Sequence, residues 1–84
     1  MKPLRVEYDP AADALAIDFP GFGAGASAHM VRLDRDRALD YDADGRLVSI
    51  ELLNVSQGVH LDDLPETEVV NCTLDLLAVR RPRA

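Results

Sequence analysis

The chain of 84 residues carries nine Lys and Arg against fifteen Asp and Glu, a formal net charge of −6, with 48% hydrophobic residues, two Phe, two Tyr and no Trp. This length supports one modest core and this composition excludes a disordered polymer, so a single domain with an aliphatic interior is expected. The acidic balance argues against direct nucleic-acid binding, because phosphate backbones are held by Lys and Arg.

Leu4-Arg5-Val6-Glu7-Tyr8 alternates at the strand period and predicts a first strand with Leu4, Val6 and Tyr8 inward. Asp9-Pro10-Ala11-Ala12-Asp13 has turn chemistry: the Asp accepts backbone hydrogen bonds and the Pro presets φ. The return strand is Leu15-Ala16-Ile17-Asp18-Phe19, with Leu15, Ile17 and Phe19 inward. Pro20 to Gly25 is too rich in Gly for regular structure. It resembles a phosphate cradle only superficially, since such loops need a helix N-terminus to follow and Ser27 to Leu33 reads as a strand. Phe22 at the tip of that loop is expected to tuck back onto the sheet.

A third strand, about Ala28 to Leu33, leads through Asp34-Arg35-Asp36 into a fourth, about Ala38 to Asp42. The Asp44-Gly45 turn then leads into the fifth and longest strand, about Arg46 to Val55, apolar enough on both sides to be central. From 66 to 79 two patterns compete. Val70, Leu74 and Leu77 recur at helical spacing behind Pro65, with Glu66 and Glu68 early and Arg80 and Arg81 late, as a helix dipole prefers. Val70, Cys72, Leu74 and Leu76 also alternate, but the charge order favours helix.

Residues 40–51 satisfy the calcium-loop pattern D-x-[DN]-x-[DN]-G-x5-E in full through Asp40, Asp42, Asp44, Gly45 and Glu51. The pattern requires a helix on each side, and both flanks read as strands. In an extended strand Glu51 lies roughly 20 Å from Gly45, at about 3.3 Å per residue, too far to close a cage. The expected structure is therefore a hairpin. Asp40, Asp42, Asp44 and Glu51 are retained only as an alternative metal set, and no cofactor is expected.

Tyr8-Asp9-Pro10-Ala11-Ala12-Asp13-Ala14-Leu15 resembles the opening YD-x-x-x-D-x-L motif of a small prokaryotic family, domain of unknown function 2283. Asp40 to Glu51 resembles its second motif, D-x-D-x-x-G-x-[LIV]-[LIV]-x-[LIV]-E, and Leu52-Leu53-Asn54-Val55-Ser56 its usual end. The similarity covers about residues 4–56. Ser49 stands where members often have Gly, the Gly21–Gly25 loop is longer than typical, and the chain from Gly58 onward lies outside the motifs. The resemblance implies a short β-meander with no established reaction. Some members sit beside genes for small ribonuclease-like toxins, which implies an antitoxin or partner-binding role. The motif surface comprises Tyr8, Asp9, Asp13, Asp40, Asp42, Gly45, Glu51 and Ser56.

Paired carboxylates along such a rim could serve a hydrolase as acid and base, but Asp is also the preferred turn residue, and turn chemistry is the simpler reading. Glu51 on a buried strand would need a partner, with Arg5, Arg32 and Arg46 as candidates. His29, His60 and Cys72 share no short spacing for a zinc site, and Cys72 is expected to be a buried small hydrophobe. Ser27, Ser49 and Ser56 lack a nucleophile-elbow motif, and Ser56 is expected to cap the turn after the long strand. Lone Cys72 precludes an intrachain disulfide, and no apolar run approaches a membrane span or a signal-peptide core, so a soluble cytoplasmic protein is expected.

The resulting expectation is an α+β domain over residues 1–79, an antiparallel meander of about five strands with a C-terminal helix packed on one face. Residues 80–84, with Arg80, Arg81 and Arg83, form a basic flexible tail. A non-enzymatic module that binds a basic protein partner is expected, with homodimerisation through an edge strand or the second sheet face. A metal-binding or hydrolytic rim and a purely structural homodimer are the alternatives.

Overall fold

In the computed structural model, which describes residues 4–23 and 25–77, the alternating segments form a single antiparallel sheet. The strands are β1 (Arg5–Asp9), β2 (Ala14–Asp18), β3 (His29–Arg32), β4 (Arg37–Tyr41) and β5 (Leu47–Leu53). A 3-10 turn over Val55–Gln57 and one helix, α1 (Thr67–Leu76), follow. The sheet order is β1-β2-β5-β4-β3. Two hairpins, β1-β2 and β4-β5, are thus joined by pairing β2 to β5, with β3 added outside β4. The predicted α+β class holds, and the longest strand is central as its apolar content requires.

The pairing registers decide which side chains share a face, because directly opposed residues on antiparallel strands point the same way. One face carries Val6, Ile17, Ile50, Leu39 and Val31 in one cross-strand row and Tyr8, Leu15, Leu52 and Arg37 in the next. Leu15, Ile17, Leu39, Ile50 and Leu52 on this face are buried and pack in one cluster with Val55, Val59, Leu64, Val70 and Leu74. The helix therefore covers this face alone. Val70 and Leu74 carry its apolar stripe, while Leu77 lies beyond the helix and is exposed. Residues 78 and 79 of the predicted helix, its closing Arg80 and Arg81, and the expected tail at 80–84 lie outside the described residues.

Three expectations are corrected by this packing. Leu4, Val6 and Tyr8 sit on the helix-covered face yet remain 38%, 40% and 41% exposed, because β1 is an outer strand. Alternation reports a face but not whether anything covers it. Cys72 is exposed, one residue out of step with the stripe of Val70, Thr73 and Leu74. The apolar run that contains it is helical, so only part of that run turns inward. Ser56 does not cap a turn with its side chain, since the 3-10 turn has no side-chain cap.

The connection from β5 to α1 is held by Arg37, a residue the sequence did not single out. Its side chain is only 12% exposed and pairs with Asp34 at 2.8 Å. Its guanidinium also donates to the backbone carbonyl of His60 at 3.1 Å and to that of Asp62. This fork pins the 58–64 segment against the sheet, where Val59 and Leu64 enter the core. Asp36 adds a second tether, accepting from the Asn54 amide at 2.8 Å while its carbonyl accepts from the Leu53 N–H at 2.7 Å. Asn54 adopts a left-handed conformation (φ 53°) that turns the chain off β5. Replacing Arg37 by Met keeps the stem but removes every one of these donors. Urea denaturation of Arg37→Met is expected to show a loss of about 2 kcal/mol, the usual scale for charged hydrogen bonds to partly buried acceptors. Arg37→Lys should recover only part of it, because an ammonium cannot reproduce the fork.

Candidate functional site

The motif residues separate into three groups, and most of their polar atoms are engaged by the protein itself. In the first hairpin, Asp9 Oδ1 accepts from the N–H groups of Ala11 and Ala12 at 3.0 and 3.3 Å, the local bond that makes Asp a turn former. Asp13 closes that turn in a left-handed conformation (φ 53°). Its carboxylate accepts from Tyr8 Oη at 3.0 Å, from the Ser56 N–H at 3.0 Å and from Ser56 Oγ at 2.7 Å. The Val55 N–H reaches the Asp13 carbonyl. Tyr8, Asp13 and Ser56 thus form a latch joining the first hairpin to the chain leaving β5, across 43 positions of sequence.

The bonds of this latch shift the titration of its members. The Ser56 hydroxyl, helped by Tyr8 and by the Ser56 N–H, holds the Asp13 carboxyl below the usual carboxylate range. The same bond to Asp13 raises the Tyr8 phenol. The arrangement serves as a strap.

In the second hairpin, Asp42 is buried and its Oδ1 accepts from the N–H groups of Asp44 and Arg46 at 2.9 and 2.8 Å. Its Oδ2 accepts from the Arg46 guanidinium at 2.8 Å. The Arg46 N–H above all, with the Arg46 side chain and the Asp44 N–H, lowers the Asp42 pKa. Gly45 takes the positive φ of 81° that the turn demands. Asp40, in the cross-strand row with Ser49, is also buried and accepts from Ser49 Oγ at 2.9 Å. Asp44 pairs loosely with Arg46 at 3.6 Å. Of the calcium-pattern residues, Asp42 and Asp44 thus share Arg46 and Asp40 bonds Ser49, and among the described residues no three His, Cys, Asp or Glu side chains converge as a metal site would require. The segment is a hairpin, as its flanks predict.

The third group lies on the sheet face away from α1. Arg5, Asp18, Ser49, Asp40 and Met30 form one cross-strand row there, and Glu7, Ala16, Glu51, Ala38 and Arg32 the next. Asp9, Ala14 and Leu53 continue it toward the first turn. None of the expected partners of Glu51 reaches it: Arg5 pairs with Glu7 at 2.7 Å, Arg32 donates to the carbonyls of Asp34 and Arg35, and Arg46 holds Asp42. Ala16 and Ala38 stand on either side of Glu51, which is half-buried. Asp18 likewise makes no ion pair among the described residues. The Gly-rich segment leads into β3 rather than a helix, so it has no phosphate-binding geometry. It walls one end of this face beside Asp18, Asp40 and Ser49. Phe22 is half-buried as expected, with the Arg46 guanidinium 5.4 Å from its ring centre.

The model of a protein family described as "Protein of unknown function (DUF2283)" matches residues 5–56, and the chain belongs to that family. The match ends at Ser56, the residue that closes the latch, and leaves out α1. No curated protein and no solved structure matches the chain. No helix among the described residues is long and apolar enough to cross a membrane.

Two measurements check the structural role of these carboxylates. The Asp13 carboxyl titrates lower in the folded protein than in the unfolded chain, so its stabilisation is complete above the ordinary carboxylate value of about 4 and fades as pH falls through the lower folded value. Asp13→Asn should therefore lower Tm at pH 7 and flatten the acid side of the Tm–pH curve. Thermal melts with Ca²⁺, Mg²⁺, Mn²⁺ or Zn²⁺ should leave Tm unchanged, while Asp42→Asn lowers it in every buffer by breaking the turn.

Proposed function

We propose that this member of a family without an assigned activity is a non-enzymatic protein-binding module, and that its uncovered acidic sheet face takes a basic polypeptide in the manner of an antitoxin. The observation that carries the reading is the asymmetry of the sheet. One face is sealed by α1, whereas the other is floored by Ala14 and Ala16 and set with Glu7, Asp9, Asp18 and Glu51 against Arg5 and Arg32, with Asp40 and Ala38 buried in its rows. Small residues along β2 leave room for a partner's side chains. Asp18 and Glu51, which make no ion pair among the described residues, are placed to meet Lys or Arg. Exposed Met30 and Leu53 on the same face add apolar contact.

A net charge of −6 steers basic partners toward the molecule at long range. Carboxylates in the two hairpin turns are engaged by backbone amides and neighbouring side chains, which favours binding over acid–base chemistry.

Affinity capture from lysate of the source cell tests the reading. The wild-type chain should retain a basic polypeptide in stoichiometric amount, and added salt should release it. Asp18→Lys/Glu51→Lys should abolish capture, while Glu68→Lys/Asp62→Lys, an equal change of charge away from this face, should not. Capture of nothing basic, or capture indifferent to both pairs of substitutions, would refute the proposal.

A further inference from the structure

We infer that β1 is a self-pairing edge: two copies of the chain join β1 to β1 antiparallel, about a two-fold axis at Val6, into a continuous ten-stranded sheet. The inference is independent of any basic partner. β1 is an outer strand with every residue exposed. It has no Pro or bulge, two of the devices that keep an edge from pairing, and its charges Arg5 and Glu7 can be matched by a partner strand. On the helix side its row of Leu4, Val6 and Tyr8 extends past the cover given by α1, each residue about two-fifths exposed.

Charge selects both the occupant and the register. With Val6 on the axis, Val6 faces Val6, Leu4 faces Tyr8, and Arg5 of each copy faces Glu7 of the other. Shifting the axis to Arg5 puts Arg5 opposite Arg5, and shifting it to Glu7 puts Glu7 opposite Glu7, each a like-charge pair that opposes association. Arg5 and Glu7 already form an exposed ion pair within one copy at 2.7 Å. In the dimer the two pairs become one network of four alternating charges. A second copy is thus the partner whose strand complements both the apolar row and the charged row of β1.

An axis perpendicular to the sheet keeps like faces on the same side. The two helices then flank a shared strip made by both copies of Leu4, Val6 and Tyr8, and the two acidic faces merge into one surface. Pairing that runs only from Leu4 to Tyr8 of each copy buries less than the roughly 1,200 Å² of a tight complex. The dimer accordingly forms in concentration-dependent equilibrium with monomer.

Sedimentation velocity from roughly 10 μM to 1 mM, the range of weak association, reads this equilibrium directly. The wild type should pass from monomer to dimer across the series. Val6→Lys and Glu7→Arg should each raise the dissociation constant at least about tenfold, because each places like charges opposite one another at the seam. The swap Arg5→Glu/Glu7→Arg restores opposite charges and should recover dimerisation to near the wild-type value. Far-UV circular dichroism identifies any variant that has lost its fold, and the swap tests the register independently of the single variants. A wild type that stays monomeric throughout overturns the inference. So does a dimer that ignores Val6→Lys and Glu7→Arg, or one that the swap does not restore.

Discussion

A ten-residue helix cannot cover both faces of a five-stranded sheet, and most features of this molecule follow from that shortage. The helix is anchored where the core is widest, over β2, β5 and β4, and there Leu15, Ile17, Ile50, Leu52, Val70 and Leu74 are all but removed from water. Burial of that aliphatic surface is the main stabilising term available to a chain with so few aromatics. It depends on bringing the chain back over the sheet after β5. The Arg37 fork and the left-handed turn at Asn54 do this, converting charged and polar groups into supports for the apolar core.

The carboxylates show how a net acidic chain keeps its turns. Asp9, Asp13 and Asp42 all accept from backbone N–H groups, two of them at the hairpin turns and one across to the end of β5. Hydrogen bonding to the ionised form lowers a carboxylate's pKa, the direction found at Asp13 and Asp42. Their charge is met by donors within the chain. Within the family motif, Asp9, Asp13, Asp42 and Ser56 build two turns and the strap between the first turn and the chain leaving β5.

What the core leaves uncovered is patterned. The open face combines small residues with carboxylates of which Asp18 and Glu51 make no ion pair among the described residues, and β1 combines a half-exposed apolar row with an alternating Arg–Glu row. The two surfaces do not compete. Pairing through β1 leaves the open face accessible and doubles its extent, so a dimer would present carboxylates from both copies to one side.

Local chemistry determined a large part of this structure in advance. Alternation at period two marked the strands, the Asp-Gly pair marked the second hairpin, and the charge order around Pro65 distinguished helix from strand for Val70 and Leu74, because each depends on residues close together in the chain. The calcium pattern was likewise decided by its neighbours. Burial was less legible. Val6 and Ile17 carry the same pattern, yet one is 40% exposed and the other fully buried, since strand order and not alternation decides which strand lies outermost. Cys72 and Val70 share an apolar run, and only helical phase separates them. The partners of Ser56 and Arg37, 43 and more than 20 positions away, and the failure of Arg5, Arg32 and Arg46 to reach Glu51 were decided by tertiary structure alone. Long-range pairing sets them, and no property of a short window of sequence reports which distant groups the closed sheet will bring within a hydrogen bond.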